Sequence, residues 1–224
     1  MIIAIDGTTS SGKSTIAKEL SKQMKICYVS TGSIYRAITL KCLNFGVDYN
    51  DNERLLTILK TTDIEYTFEK ENTIIKVDGL IQHKNDLASP EVSSLTPKIA
   101  CKDFVREYVR QIQLKLAKEN PDIIIEGRDI GSVVFPNADF KFYIDADLKT
   151  RAERRFMDYI KQGKTATLKQ VIEDVQARDE QDQHRDLSPL IMTSDSILID
   201  TTELSVQECV KTMRNIINER INER

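Results

Sequence analysis

Gly7-Thr8-Thr9-Ser10-Ser11-Gly12-Lys13-Ser14, followed by Thr15, fits the pattern G-x-x-x-x-G-K-[ST]. It lies between an apolar run at residues 2–5 and a segment in which Ile16, Leu20 and Met24 repeat at helical spacing. Strand, glycine-bearing loop and helix in that order make a phosphate-binding loop. The glycines let the main chain curl so that successive N–H groups face phosphate oxygens, and the start of the helix adds its positive end. Lys13 is placed to reach the β- and γ-phosphates of a bound triphosphate, and the Ser14 hydroxyl to ligate a magnesium ion bridging them. The chemistry expected of such a loop is ATP binding and phosphoryl transfer.

Outward from the loop, further apolar runs occur at residues 26–29, 123–125, 140–144 and 197–199, most of them followed by amphipathic segments. These read as buried parallel strands. With Val105, Val109 and Ile112 also at helical spacing, helices are expected to cover the sheet. The fold class is therefore α/β, a phosphate-loop kinase core with a five-stranded parallel sheet flanked by helices, formed by residues 1–47, 96–150 and 168–224. Residues 48–95 interrupt the alternation. Within them Ile64, Tyr66 and Phe68, then Ile74, Lys76 and Asp78, alternate with period two around Glu71 and Asn72, so an inserted lobe with a β-hairpin is expected. The charged stretch 151–167, which contains Gly163, is expected to form a short mobile cover, or lid.

Composition narrows the classes. The 224 residues are enough for one domain carrying inserted lobes, and a net charge of -3 provides no general attraction for nucleic acid. Anionic ligands must then be held by local clusters of Lys and Arg. No apolar stretch approaches a membrane span, and the segment before Asp6 lacks a basic region, so neither a membrane segment nor a signal peptide is expected. Cys27, Cys42, Cys101 and Cys209 form no C-x-x-C pair, which points to reduced thiols in the cytoplasm rather than to zinc or disulfides. A monomer is expected.

The acceptor side is read from the arginines. After the run at 123–125 comes Glu126-Gly127-Arg128-Asp129-Ile130-Gly131-Ser132, whose charged side chains emerge at the C-terminal end of a strand, where open parallel sheets bind ligands. Arg178 and Asp182 are spaced i and i+4 on a predicted helix, with Arg185 expected one turn further along the same face. Arg151, Arg154 and Arg155 are spaced to share a helix face, from which they could bring positive charge to a transferring phosphoryl group.

Together with Thr31-Gly32-Ser33-Ile34-Tyr35-Arg36, the stretch 151–155 and the run from Arg178-Asp179 to Ser188-Pro189-Leu190, these segments resemble the cytidylate kinase family of nucleoside monophosphate kinases over nearly the whole chain. The resemblance implies transfer of the γ-phosphoryl group of ATP to CMP or dCMP, with magnesium. It implies that Arg36, Arg128 and Arg185 hold the acceptor phosphate, that Arg178 and Asp182 meet the pentose, and that Thr31 and Tyr35 belong to the same substrate site. Asp129 matches the carboxylate that reads the base, and Arg106 the arginine that donates to the ring's acceptor edge. The cytosine amino group suits a carboxylate acceptor, whereas the O4 of uracil is repelled by one. Lys13, Arg128, Arg151 and Arg155 are the residues expected to act on the transferring group.

The chain departs from the family's pattern in places. Pro97 stands where a base-contacting serine is expected, leaving Thr96 as the nearest hydroxyl; Glu126 and Ser30 stand where aspartate is common. Thr8 and Thr9 replace the more usual proline and small residue, a change expected to be tolerated because main-chain N–H groups do the binding. The competing readings are another small-acceptor kinase, for UMP or shikimate, and a non-catalytic nucleotide-sensing module. The D-x-x-G and N-K-x-D elements of a GTPase are both missing from the sequence.

Overall fold

The computed structural model describes residues 1–69, 72–161, 163 and 165–223. In chain order, β1 (Ile2–Gly7) and α1 (Lys13–Met24) are followed by β2 (Cys27–Ser30), α2 (Thr31–Asn44) and α3 (Asn52–Lys60). Three strands come next, β3 (Ile64–Glu69), β4 (Asn72–Val77) and β5 (Leu80–Ile81), then α4 (Lys84–Leu87), α5 (Pro90–Ala100) and α6 (Asp103–Glu119). β6 (Ile123–Glu126) leads to a π-helical turn at Ile130–Val134. After it lie β7 (Phe140–Asp145), α7 (Leu148–Lys161), α8 (Leu168–His184), β8 (Ile197–Asp200) and α9 (Val206–Asn222).

The expected five-stranded parallel sheet is present, in the order β2-β6-β1-β7-β8, with each apolar run of the sequence in a strand except for Ile26, which precedes β2. The pairings of β1 with β7 and of β7 with the edge strand β8 are parallel. The chain divides into two compact units, Met1–Ile26 with Ile124–Arg224, and Cys27–Ile123. The second unit contains the expected lobe, residues 48–95, and extends beyond it on both sides.

In the first unit, Ile3, Ile5, Phe140, Phe142 and Ile144 are fully buried. On α1, Ile16, Ala17 and Leu20 form a buried stripe, as do Val210, Met213 and Ile217 on α9, and the two helices pack together. Ala152 of α7 joins Val171 and Val175 of α8 in a separate apolar cluster that also takes in Phe156 and Tyr159. The expected cover at 151–167 is thus helix α7 for much of its length; Gln162 and Lys164 lie outside the described residues. A capping box between Thr167 and Gln170 starts α8.

In the second unit the hairpin is joined by a third strand that the sequence reading did not include, giving an antiparallel sheet β3-β4-β5. Asp78, expected to continue the strand, instead follows it in a left-handed turn with φ 52°, where its carboxylate pairs with the buried Lys41 at 2.6 Å. Glu71 lies outside the described residues.

Two features of β1 set the position of everything attached to it. Gly7 has φ 152°, and a Cβ there would lie 2.0 Å from the main-chain oxygen of Ile144 on the neighbouring strand. Asp6, buried, accepts from the main-chain N–H of Ile130 at 2.9 Å and of Gly131 at 2.7 Å. One carboxylate therefore ties the strand entering the phosphate loop to the segment immediately after Arg128 and Asp129. Burial raises the Asp6 carboxyl to about 7 against those two hydrogen bonds, which pull it down.

Gly7→Ala should cost about 3 kcal/mol or more, since collision with main chain adds to a disfavoured φ. Gly12→Ala, with φ 90° but its nearest neighbour 3.7 Å away, should cost only about 1–2 kcal/mol. Denaturant midpoints measure both, and equal losses would contradict the main-chain clash. For Asp6, the folded chain retains a proton that the unfolded chain has released between pH 3.8 and about 7. Its contribution is present below that window and lost as pH rises through it. Subtracting the pH profile of Asp6→Asn stability from that of the wild type should reveal this fall; a flat difference would disprove it.

Candidate active site

The phosphate loop leaves β1 at Gly7 and enters α1 through Gly12, whose left-handed backbone forms the helix N-cap. Its main chain is fixed most firmly at Thr9. The Thr9 N–H donates to Asp179 Oδ1 at 2.9 Å, and the Thr9 carbonyl accepts from Arg151 Nη1 at 3.1 Å. Arg151 also donates to Asp179 itself and, through Nε, to the Ala146 carbonyl at 2.8 Å. Thr8 is anchored separately, its hydroxyl donating to Asp145 Oδ1 at 2.6 Å. Ser11 Oγ and Lys13 Nζ both donate to the Thr8 carbonyl, each at 2.9 Å.

Lys13 is buried, and its ammonium pKa falls to about 7. Burial is the main cause, and the Arg128 guanidinium adds to it, as does Arg178 more weakly. Glu126 and Asp182 oppose the fall without cancelling it. Positive charge is thus concentrated at the loop in a chain whose net charge is -3. Ser14 Oγ donates to the buried Glu126 Oε1 at 3.0 Å, so a hydroxyl and a carboxylate oxygen sit side by side at the start of α1.

Arg128, just beyond β6, is held on three sides. Its Nε donates to Asp182 Oδ2 at 2.7 Å, Nη1 to the Gly127 carbonyl at 3.3 Å and Nη2 to Thr9 Oγ1 at 3.2 Å. Asp182 also lies 3.6 Å from Arg185 Nη1. Burial alone would raise the Asp182 carboxyl, but Arg128, Arg178 and Arg185 hold it below the usual range. Asp129 is buried at the head of the π-helical turn.

The sequence reading grouped Lys13, Ser14, Arg128, Asp182 and Arg185, and the first unit brings them together with the loop. One detail differs: α8 ends at His184 and Arg185 is extended, with ψ 143°, so Arg185 leaves the helix instead of extending its face. Its Nε donates to the Ser188 carbonyl at 2.7 Å. Two of the three arginines of α7 reach the loop. Arg151 is buried against it, Arg154 bonds the Thr201 hydroxyl and carbonyl at 2.9 and 2.6 Å and the Ser11 carbonyl at 3.5 Å, and Arg155 instead lies over the Tyr159 ring at 4.8 Å.

Within the second unit, Thr31 is buried at the start of α2, one turn before Tyr35. Arg36 donates from Nη1 to the Leu87 carbonyl at 2.9 Å and to Ser93 Oγ at 3.0 Å. Arg106, on α6, donates to the Ala100 carbonyl at 3.3 Å. Thr96 gives its hydroxyl to the Val92 carbonyl at 2.6 Å, inside the helix that also contains Pro97.

Asp6, Asp145 and Asp179 were missed as contributors. Asp179 had a signal: Val171, Val175 and Asp179 recur every fourth residue, so a carboxylate on that apolar stripe is buried and needs partners.

A model of the cytidylate kinase family matches residues 3–219. The chain is 38% identical to the cytidylate kinase of Clostridioides difficile (strain 630), over 97% of this chain and 98% of that protein. It is 40% identical to the cytidylate kinase of Pediococcus pentosaceus, over 96% and 94% of the respective chains. Among solved structures, a shikimate kinase from Bacteroides thetaiotaomicron shares the fold with a TM-score of 0.53 at 9% identity, covering 97% of this chain and 98% of that one. A phosphate loop braced by α7 and α8, a guanidinium and carboxylate pair beside it, and a family match over almost every residue agree: the chain belongs to the cytidylate kinase family.

Proposed function

We propose that this chain transfers the γ-phosphoryl group of ATP to CMP or dCMP, giving ADP and CDP or dCDP, at a site built around Lys13 and Arg128. The carrying observation is the placing of the buried Lys13 and of Arg128 on one phosphate loop, Lys13 on the Thr8 carbonyl and Arg128 on the Thr9 hydroxyl, where burial first and the guanidiniums second bring the lysine to about 7. Such a cluster is poorly neutralised until anions arrive, and two phosphate-bearing substrates supply them.

The loop's N–H groups and Lys13 take the β- and γ-phosphates of ATP. Arg128 and Arg185 hold the acceptor phosphate, whose oxygen is already ionised and needs no general base. That oxygen attacks the γ-phosphorus in line as the bond to the ADP oxygen breaks. Lys13 and Arg128 stabilise the charge spread over the transferring group. Arg178 and Asp182 meet the pentose and Asp129 reads the cytosine amino group. Thr31, Tyr35, Arg36 and Arg106 are assigned to substrate binding, and Arg151 and Arg155 to the transferring group, on the family resemblance.

A magnesium ion fits the donor set at the start of α1. Ser14 and Glu126 present two hard oxygens, and among the described residues no cluster of three or more His, Cys, Asp or Glu offers a metal site. A small protein donor set of this kind suits magnesium whose remaining ligands are phosphate and water. When bound, the ion supplies charge neutralisation at the phosphates. We further read the protein as a cytoplasmic monomer, a location that suits its four free thiols. Among the described residues no helix is long and apolar enough to cross a membrane.

In a coupled assay with ATP and magnesium, CMP and dCMP should be phosphorylated in strong preference to UMP, AMP or shikimate. Lys13→Ala should lower kcat at least about a hundredfold with an unchanged circular dichroism spectrum. Full turnover in that variant would remove the loop from the mechanism. Asp129→Ala should reduce the preference for CMP over UMP in kcat/KM about tenfold; an unaltered ratio would show that another group reads the base.

A further inference from the structure

Most residues of a phosphate loop act through their main-chain N–H groups, which leaves their side chains without a prescribed task. Thr9 is different here. Both of its main-chain polar groups are clamped, the N–H by Asp179 and the carbonyl by Arg151. Its side chain therefore projects from a fixed point, and the residue is 6% exposed. The hydroxyl oxygen accepts from Arg128 Nη2 at 3.2 Å. Of these three partners of Arg128, Gly127 precedes it in the chain, Asp182 belongs to α8 and Thr9 belongs to the loop assigned to the donor's phosphates.

We propose that the Thr9 hydroxyl is a positioning residue for the acceptor: it aims the Arg128 guanidinium and links its order to that of the donor loop. This rests on the assignment of Arg128 to the acceptor phosphate. A planar guanidinium held at Nε by Asp182 can still swing about its long stem, and the second hold at Nη2 fixes the fork. Because that hold comes from a phosphate loop that Asp179 and Arg151 already fix at Thr9, the acceptor meets a guanidinium aimed from the same rigid point that holds the donor. Alanine or another hydroxyl-free residue at position 9 leaves the main-chain clamp intact but breaks the link.

Steady-state kinetics of Thr9→Val, Thr9→Ala, Thr9→Ser and Arg128→Lys test this, with calorimetric titration of CMP in the presence and absence of a non-hydrolysable ATP analogue. Thr9→Val and Thr9→Ala should raise the KM for CMP about fivefold. The KM for ATP should shift less than twofold, the calorimetric affinity for CMP should fall both with and without the analogue, and Thr9→Ser should restore CMP binding. On the Arg128→Lys background, Thr9→Val should add little. If Arg128→Lys weakens CMP but the hydroxyl-free variants do not, or if they weaken ATP and CMP alike, the positioning role is overturned. If Arg128→Lys leaves CMP unaffected, it is the acceptor-site assignment that falls.

Discussion

Two buried charges of opposite sign hold the main chain of the phosphate loop at Thr9. Asp179 from α8 takes its N–H, Arg151 from α7 takes its carbonyl, and the two side chains bond to each other. Burying such a pair costs several kcal/mol per ion, recovered only when the remaining hydrogen-bonding positions are filled. Here the Ala146 carbonyl and the loop itself fill them. Removing one partner would strand the other, a loss of about 3–5 kcal/mol. The loop is thus positioned by helices far along the chain, and those helices hold one another through Ala152, Val171 and Val175. Its glycines permit the curve, while α7 and α8 fix where the curve lies.

On the proposed reading, the same unit accepts an electrostatic cost in order to bind anions. Lys13, Arg128, Arg178 and Arg185 are partly offset by Asp182 and Glu126, but Lys13 still falls to about 7. An arrangement optimised for stability alone would pair or remove that lysine. Holding it among other cations destabilises the free protein and strengthens its interaction with phosphate, as is usual where stability and activity compete for one position. Asp6 carries a related strain in the opposite direction, because a buried carboxylate is kept where two N–H groups need an acceptor.

The sheet was legible in the sequence because parallel strands covered on both faces are continuous apolar runs, and each of those runs marks a strand to within one residue. The loop was legible because its glycines and lysine follow from the geometry of cradling phosphate. What escaped was decided by tertiary partners. Asp78 did carry a local signal, an Asp-Gly pair with φ 52° and 78° that joins β4 to β5, and Lys41 pairs with its carboxylate there; nothing local to Arg185 signals that the helix stops at His184. Likewise, Arg151, Arg154 and Arg155 share a spacing that suggests one surface. Arg151 is instead buried by its bonds to Asp179 and Thr9, and Arg155 settles over Tyr159. Spacing gives direction from a helix axis; it does not say what stands in that direction.

Lys13 shows how the loop can be ordered before nucleotide arrives and still receive it. Its ammonium now donates to the carbonyl of Thr8, which also accepts from Ser11. On the proposed reading, Lys13 exchanges a neutral acceptor for an anionic one when phosphate enters, and charge-assisted bonds are roughly twice as strong. The Thr8 carbonyl keeps Ser11, the Thr8 hydroxyl keeps Asp145, and Thr9 keeps its clamp. One side chain turns while the main chain stays in place. The donors aimed at the transferring group therefore need no rearrangement of the loop, which is the condition under which fixed dipoles and charges lower a barrier most.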